Sequence, residues 1–332
     1  MTRCPGCLKA DQATFCAPCR KRLFDGKKVP FELPFSRPDY DRAKREDVSG
    51  RMSISGVQTK IPLALRDGKL EMAAAGGQYI LKPRPHGSFD RLDMVPINEH
   101  LTMQIARRVF KIAVAENALV SFSDGEVAYL VRRFDVQADG SRLLQEDFAQ
   151  IASRSEETHG KNYKYDFSYE EIGRLIRRYV PTSKVDLERY FALVAFNYLV
   201  HNGDAHAKNF SLIRSNLTGA YALTPAYDLL NTRLHLPGES QTALDLFADG
   251  FETESYKANG FYAYDDFVEF ARRLDLVETR SRRILEAFIA KRPDVFSLID
   301  SSRLSDECKE SYRKHVDDRT KAFSYSYSDS RR

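Results

Sequence analysis

Between Leu187 and Val200 apolar residues recur at Leu187, Phe191, Val194, Ala195, Tyr198 and Leu199. That is the period of a buried helix. The pattern stops at Asn202-Gly203, glycine being a common helix stop, and gives way to the polar run Asp204-Ala205-His206-Ala207-Lys208-Asn209. Phe210 to Ile213, a turn at Asn216 to Gly219, and Tyr221 to Leu223 then predict a hairpin that closes on Thr224-Pro225-Ala226-Tyr227-Asp228. Any fold built on this stretch must bring the two ends of the hairpin together. Asp204 and Asn209 then lie on one side of its open end and Asp228 on the other.

Two carboxylates and an amide so placed have a specific use. Phosphoryl transfer to a hydroxyl needs one Asp to accept the hydroxyl proton. An Asn and a second Asp hold Mg²⁺ on the nucleotide phosphates, and a Lys neutralises charge from across the cleft. Asp204 fits the first role, Asn209 and Asp228 the metal ligands, and Lys82, ending the strand Tyr79-Ile80-Leu81-Lys82, the last. Lys208 or His206 is placed to contact the transferring phosphate, the alternative for His206 being only to brace the loop. Upstream, Gly50-Arg51-Met52-Ser53-Ile54-Ser55-Gly56-Val57-Gln58 is rich in small residues whose backbone N–H groups can approach phosphates closely. Glu99, in the first turn of a helix starting near Pro96, is spaced to pair with Lys82; the alternative is a carboxylate favoured there by the helix dipole alone.

The rest of the chain is read as two lobes. Ile61, Leu63 and Leu65 alternate up to the turn Asp67-Gly68, and Ala128 to Asp135 reads as a further strand running into the connection between lobes. There a backbone edge suits adenine. Phe267, Phe270, Ala271 and Leu274, then Ile284, Leu285, Phe288 and Ile289, mark core helices. Residues 236 to 262 read as a loop near the substrate groove, and Cys308 as a core residue. The fold class expected is α+β: a two-lobe, protein-kinase-like fold with a β-rich first lobe over residues 29–135 and a mostly helical second lobe over 136–323. A disordered Ser/Tyr/Arg-rich tail is expected over 324–332.

Four of the five cysteines lie within the first 19 residues, as Cys4-Pro5-Gly6-Cys7 and Cys16-Ala17-Pro18-Cys19. Two CxxC pairs suit tetrahedral Zn²⁺ held by four thiolates, with no open position for catalysis, the alternative being two redox-active dithiols or a vestigial module. Residues 1–28 therefore read as a small zinc-ribbon-like knuckle, with Phe15 covering the metal. The basic cluster Arg20, Lys21, Arg22, Lys27 and Lys28 reads as a solvated face, with a nucleic-acid contact as the alternative, and Val29 to Tyr40 as an extended linker docked on the body. With 51 basic against 47 acidic residues, net charge +4, the balance makes no case for nucleic-acid binding. No apolar run is long enough to span a bilayer and none follows the N-terminus, which places the chain in the cytoplasm.

The chain resembles the HipA-like serine/threonine kinases, toxins of bacterial toxin–antitoxin systems. The resemblance is carried by Ser53-Ile54-Ser55-Gly56-Val57-Gln58-Thr59-Lys60, Ile80-Leu81-Lys82-Pro83, Asn98-Glu99, Arg133-Phe134-Asp135, Gln145-Glu146-Asp147-Phe148, Asn202 to Phe210 and Leu223 to Asp228, in family order. It implies ATP and Mg²⁺ as cofactors, and ATP contacts at Ser53, Ile54, Ser55, Gly56, Val57, Gln58, Lys60, Lys82, Glu99, Arg132 and Phe134. It implies autophosphorylation at Ser53 and Ser55, the paired serines looking like the short HipT-type kinases. The implied substrate is an aminoacyl-tRNA synthetase. The implied partners are a HipB-like DNA-binding antitoxin and a HipS-like small protein, with DNA reached only through the antitoxin. The chain departs from full-length HipA in its short N-terminal part, where the cysteine cluster stands. The competing reading is a non-catalytic kinase-fold scaffold in an antitoxin–DNA complex.

Overall fold

The computed structural model describes residues 2–46, 60–73, 76–87 and 90–327. The loop from Ser53 to Gln58, with its expected phosphate contacts and its two candidate autophosphorylation serines, lies outside them. Two short helices lead, α1 (Ala17–Phe24) and α2 (Arg37–Glu46). Three strands follow, β1 (Ile61–Arg66), β2 (Lys69–Met72) and β3 (Tyr79–Lys82), then helix α3 (Val95–Arg108) and strands β4 (Asn117–Ser121) and β5 (Val127–Arg132). These make an antiparallel five-stranded sheet in the order β2-β1-β3-β5-β4. Asp67 and Gly68, at φ 47° and 76°, form the two-residue loop between β1 and β2 that a twisted hairpin favours.

Strand parity decides which face of this sheet does what. Tyr79 and Leu81, Ala118 and Val120, and Ala128 and Leu130 pack in one core with Cys4, Phe15, Cys16, Cys19, Leu23 and Phe24. Leu119, Tyr129 and Val131 point the opposite way, into the core that holds Leu101 and Ile105 of α3. Side chains alternate across a strand, so Lys82, one residue beyond Leu81, leaves the cysteine module behind it and points toward α3. The module is sewn to the sheet by Leu119 N to Pro5 O at 3.0 Å and Tyr79 Oη to Leu23 O at 2.7 Å. Arg22 bonds Glu116, and the rest of its basic cluster is exposed or half-exposed. The linker is extended only as far as Ser36. From Arg37 it becomes α2, because Pro38 falls where a helix has no N–H bond to lose and Asp39 bonds back to Ser36.

After β6 (Gln145–Asp147) come α4 (Phe148–Ile151), α5 (Glu156–His159), α6 (Tyr169–Tyr179) and α7 (Ser183–Leu199). The hairpin β7 (Ser211–Arg214) and β8 (Tyr221–Leu223) pairs with β6 in a three-stranded sheet. The chain ends with α8 (Glu254–Asn259), α9 (Tyr264–Arg273), α10 (Glu278–Ala290), α11 (Arg292–Ser301) and α12 (Asp306–Ser324). Ser168 caps α6 through the Glu171 N–H, with Glu170 and Glu171 in its first turn and Arg177 and Arg178 in its last, as the helix dipole favours. Helix α7 is buried along most of its length, and Phe267, Phe270, Leu285, Phe288 and Cys308 join the same core. The tail is ordered further than its composition implies. Ser324 still belongs to α12, and Ser326 and Tyr327 bond the Asp265 carboxylate, a partner that lies outside the tail. No helix among the described residues is long and apolar enough to cross a membrane.

Candidate active site

Helix α7 stops at Leu199, and His201, at φ 52°, takes the left-handed turn expected of Gly203. Gly203 serves a different need. A Cβ there would stand 2.5 Å from Glu239 Cδ, so a larger residue at 203 would have to push that carboxyl away from the loop. Its N–H bonds Thr232 Oγ1 at 2.8 Å, and Asn202 reaches Asn197 Oδ1 at 2.9 Å, which sets the direction in which the chain leaves the helix. A short 3₁₀ turn, Ala207–Asn209, then leads into β7. The His206 N–H donates to Asn209 Oδ1 at 3.1 Å and holds that amide on the cleft side.

On the other side of the hairpin, Ala226 exchanges backbone bonds with Ala113 and Ala115 at 2.8 and 2.9 Å. Two residues on, Asp228 adopts φ 55°, a backbone region that L residues rarely enter. Asn98 of α3 clamps the next turn, donating to Asn231 O at 2.9 Å and accepting from Asn231 N at 3.2 Å. The second lobe is thus tied to α3 one residue before Glu99.

Lys82, Glu99 and Asp228 meet. The Lys82 ammonium lies 2.6 Å from Glu99 Oε1 and directly on Asp228 Oδ1, with Lys60 3.9 Å from the other Asp228 oxygen. Lys82 is 4% and Glu99 3% exposed, whereas the Asp228 side chain keeps 31%. Burial works against the charge on Lys82, but the Asp228 and Glu99 carboxylates outweigh it and raise its pKa. Burial also opposes charge on Asp228, and Lys82 and Lys60 overcome it, holding the carboxyl well below its usual range. Glu99 is the fifth residue of α3, beyond its first turn. The dipole alternative for this carboxylate therefore gives way to the ion pair.

Lys60, Lys82, Glu99, Asp204, His206, Lys208, Asn209 and Asp228 all line one open cleft of about 610 Å³ between the lobes, a volume in the range of small-ligand sites. Asp204 stands at the mouth with its side chain 50% exposed, accepting a 2.5 Å bond from Tyr165 Oη. His206 Nε2 is 3.8 Å from Asp204, and burial pushes its imidazole down to about 4, so it is neutral at pH 7. Lys208 bonds Tyr163 Oη at 3.1 Å and lies 4.0 Å from Asp147. Two expected nucleotide contacts are elsewhere. Arg132 lies on the module side of β5, bidentate to Asp25 at 2.8 and 2.9 Å, because strand parity turns it away from the cleft. Phe134 packs against Tyr227 at 5.9 Å and does not itself line the cleft. Tyr165, Lys161 and Lys164, which the sequence did not mark, do line it, as does Glu239 from the stretch 236–262 expected near the groove. None of them falls in a recognisable motif.

A second cluster lies behind the sheet. The sulfurs of Cys4, Cys7, Cys16 and Cys19 all lie within 4.8 Å of one another, Cys7 and Cys16 at 3.7 Å. Tetrahedral thiolates at about 2.3 Å from a zinc ion would sit about 3.8 Å apart, so the four can hold such an ion. The Cys16 N–H and the Arg22 guanidinium point at Cys4 and Cys19 sulfur at 3.3 and 3.4 Å, as thiolates require.

The family profile of the HipA-like C-terminal domain matches residues 52–296. The chain belongs to that family. Among proteins similar to this HipA-like chain is one of Haemophilus influenzae named "Putative kinase", 30% identical over 279 residues and matched over 76% of both chains. The serine/threonine-protein kinase toxin HipA of Shewanella oneidensis is 28% identical over 251 residues, 69% of this chain and 54% of the toxin. The chain therefore spans about half the length of that relative. In fold it is similar to the Shewanella oneidensis HipA solved with HipB and operator DNA, with a TM-score of 0.63 at 23% identity over 82% of this chain and 65% of that one. The fold is the two-lobe kinase-like one, with its β-rich lobe first.

Proposed function

We propose that the chain is an ATP- and Mg²⁺-dependent serine/threonine protein kinase. One observation carries the reading: a buried lysine shared between Glu99 and Asp228 lies at the back of a cleft whose mouth holds Asp204 and Asn209. Lys82 steers the nucleotide phosphates, with Glu99 holding its ammonium and Lys60 adding positive charge beside it. Asp204 accepts the proton of the incoming hydroxyl as its oxygen bonds to the terminal phosphorus and ADP departs with the old bond's electrons. Asn209 and Asp228 would hold Mg²⁺, which neutralises charge on the phosphates; Asp228, anionic and partly open, fits that use. Neutral His206 braces the loop, and Lys208 stands beside the phosphate path.

The finer reading follows the family. The chain acts as the toxin of a toxin–antitoxin pair in the cytoplasm, phosphorylates an aminoacyl-tRNA synthetase and so halts translation. It phosphorylates itself at Ser53 and Ser55. A HipB-like antitoxin, and a HipS-like small protein, restrain it, and DNA is met only through the antitoxin. Residues 1–28 hold a structural Zn²⁺ on four thiolates and buttress the first lobe. Incubation with radiolabelled Mg·ATP, followed by phosphopeptide mapping, tests the core of this. Label on protein hydroxyls, absent from Asp204→Ala, is expected; equal labelling of both, or of neither, would sink it.

A further inference from the structure

Phosphoryl transfer to an outside hydroxyl leaves one contact at the cleft mouth unused. Asp204 Oδ1 already accepts a hydrogen bond, from Tyr165 Oη at 2.5 Å. A substrate hydroxyl that gives its proton to Asp204 must occupy a position within hydrogen-bond reach of the same carboxylate. Tyr165 holds one oxygen of that carboxylate through a built arrangement. The backbone beside it is fastened to the Asp204 loop, Ala207 N donating to Lys164 O at 3.1 Å, and Lys208 Nζ bonds Tyr163 Oη at 3.1 Å on the other flank. The Tyr165 ring meets the His206 ring edge-on at 5.2 Å, and Lys164 Nζ stands 4.9 Å from its centre. The residue is nonetheless 38% exposed, so a rotation about its side-chain bonds swings the ring into solvent without opening the core.

We infer that Tyr165 is a gate on Asp204: while no substrate is bound its hydroxyl occupies Asp204 Oδ1, the oxygen that would take the acceptor's proton, keeps water off that oxygen, and yields it to the substrate's own hydroxyl. The inference rests on Asp204 acting as proton acceptor. Its consequence is chemical. With the position open, a water held by Asp204 attacks the terminal phosphorus of ATP. The new O–P bond forms, the bond to ADP breaks, and the water proton passes to Asp204, giving ADP and inorganic phosphate. With Tyr165 in place that water is missing and ATP is spared until an acceptor arrives. Tyr165 is thus a gating residue, not a catalytic one.

The test uses the full chain and Tyr165→Phe, which keeps the ring and removes only the hydroxyl. ADP release from Mg·ATP without protein substrate is expected to rise severalfold in kcat while KM for ATP stays the same. The gain is expected to vanish in the Tyr165→Phe/Asp204→Ala double variant. A readout free of turnover accompanies it: site-resolved nitration of Tyr165 by tetranitromethane, expected to be low in the wild type and higher in Asp204→Ala. Wild-type turnover with no gain in Tyr165→Phe would overturn the gate and leave the kinase reading standing. Equal nitration with and without the Asp204 carboxylate would overturn the contact itself. No ATP turnover in any variant would overturn the kinase reading, and the gate with it.

Discussion

Glu239 shows how one residue far from any motif shapes a site. Its carboxyl lies against Gly203, contacts the Thr232 hydroxyl and lines the same cleft as Asp204. Burial, with the Asp204 charge adding to it and the Thr232 hydroxyl opposing, pushes Glu239 up to about 7. The folded chain then holds a proton that the unfolded chain has lost once pH exceeds the ordinary carboxyl value of 4.5. Its stabilising contribution is complete below that value and lost as pH rises through about 7. Glu239→Gln removes the effect. Urea unfolding is expected to show the wild type losing stability relative to this variant between about pH 4.5 and 7, by on the order of 1 kcal/mol after allowance for solvent screening. Parallel curves for the two proteins would refute the assignment.

Among the elements, α3 has the most to hold. It carries Asn98, which clamps Asn231, and Glu99, which meets a lysine from β3. The pair is buried on both sides, unlike the exposed Arg22–Glu116 contact, which at the surface contributes less than about 1 kcal/mol. Taking one partner from a buried pair leaves the other charge without compensation. Lys82→Met is therefore expected to destabilise the fold by about 3 kcal/mol or more in urea titration. Adding Glu99→Gln is expected to return part of that loss. A double variant no more stable than Lys82→Met alone would show that Glu99 is held by something other than Lys82.

For the whole molecule, two apolar cores divide the work. One joins the cysteine module to the outer face of the first-lobe sheet; the other runs from α3 and the inner face through the second lobe. The module's contacts therefore bear on the sheet that presents Lys82 and, through Leu8 and the Arg108 bond to Cys7 O, on α3, but scarcely on α6 or α7. Stripping a bound metal with a chelator is expected to speed amide exchange in β1, β3, β4 and β5 while α6 and α7 stay protected. It is also expected to lower the first melting transition. Exchange that rises evenly through both lobes, or nowhere, would mean that the cluster does not support the first lobe in this way.

Much of this was legible in the chain because it is local. A hydrophobic period of 3.6, a hairpin and the short polar run between them bring Asp204 and Asn209 near Asp228 within the 25 residues from 204 to 228. CxxC spacing and strand alternation are local in the same sense, and alternation alone turns Lys82 away from Leu81. What lies beyond the chain's short-range grammar is which face of the sheet looks into the cleft and what fills the cleft mouth. The side of Arg132, the approach of Glu239 to Gly203, the Asn98 clamp and the hold of Tyr165 on Asp204 each join segments 30 or more residues apart. Such contacts are settled only when two packed cores fix the elements against one another. No propensity or spacing along the chain carries that information, since many sequences with the same periods would pack with different neighbours.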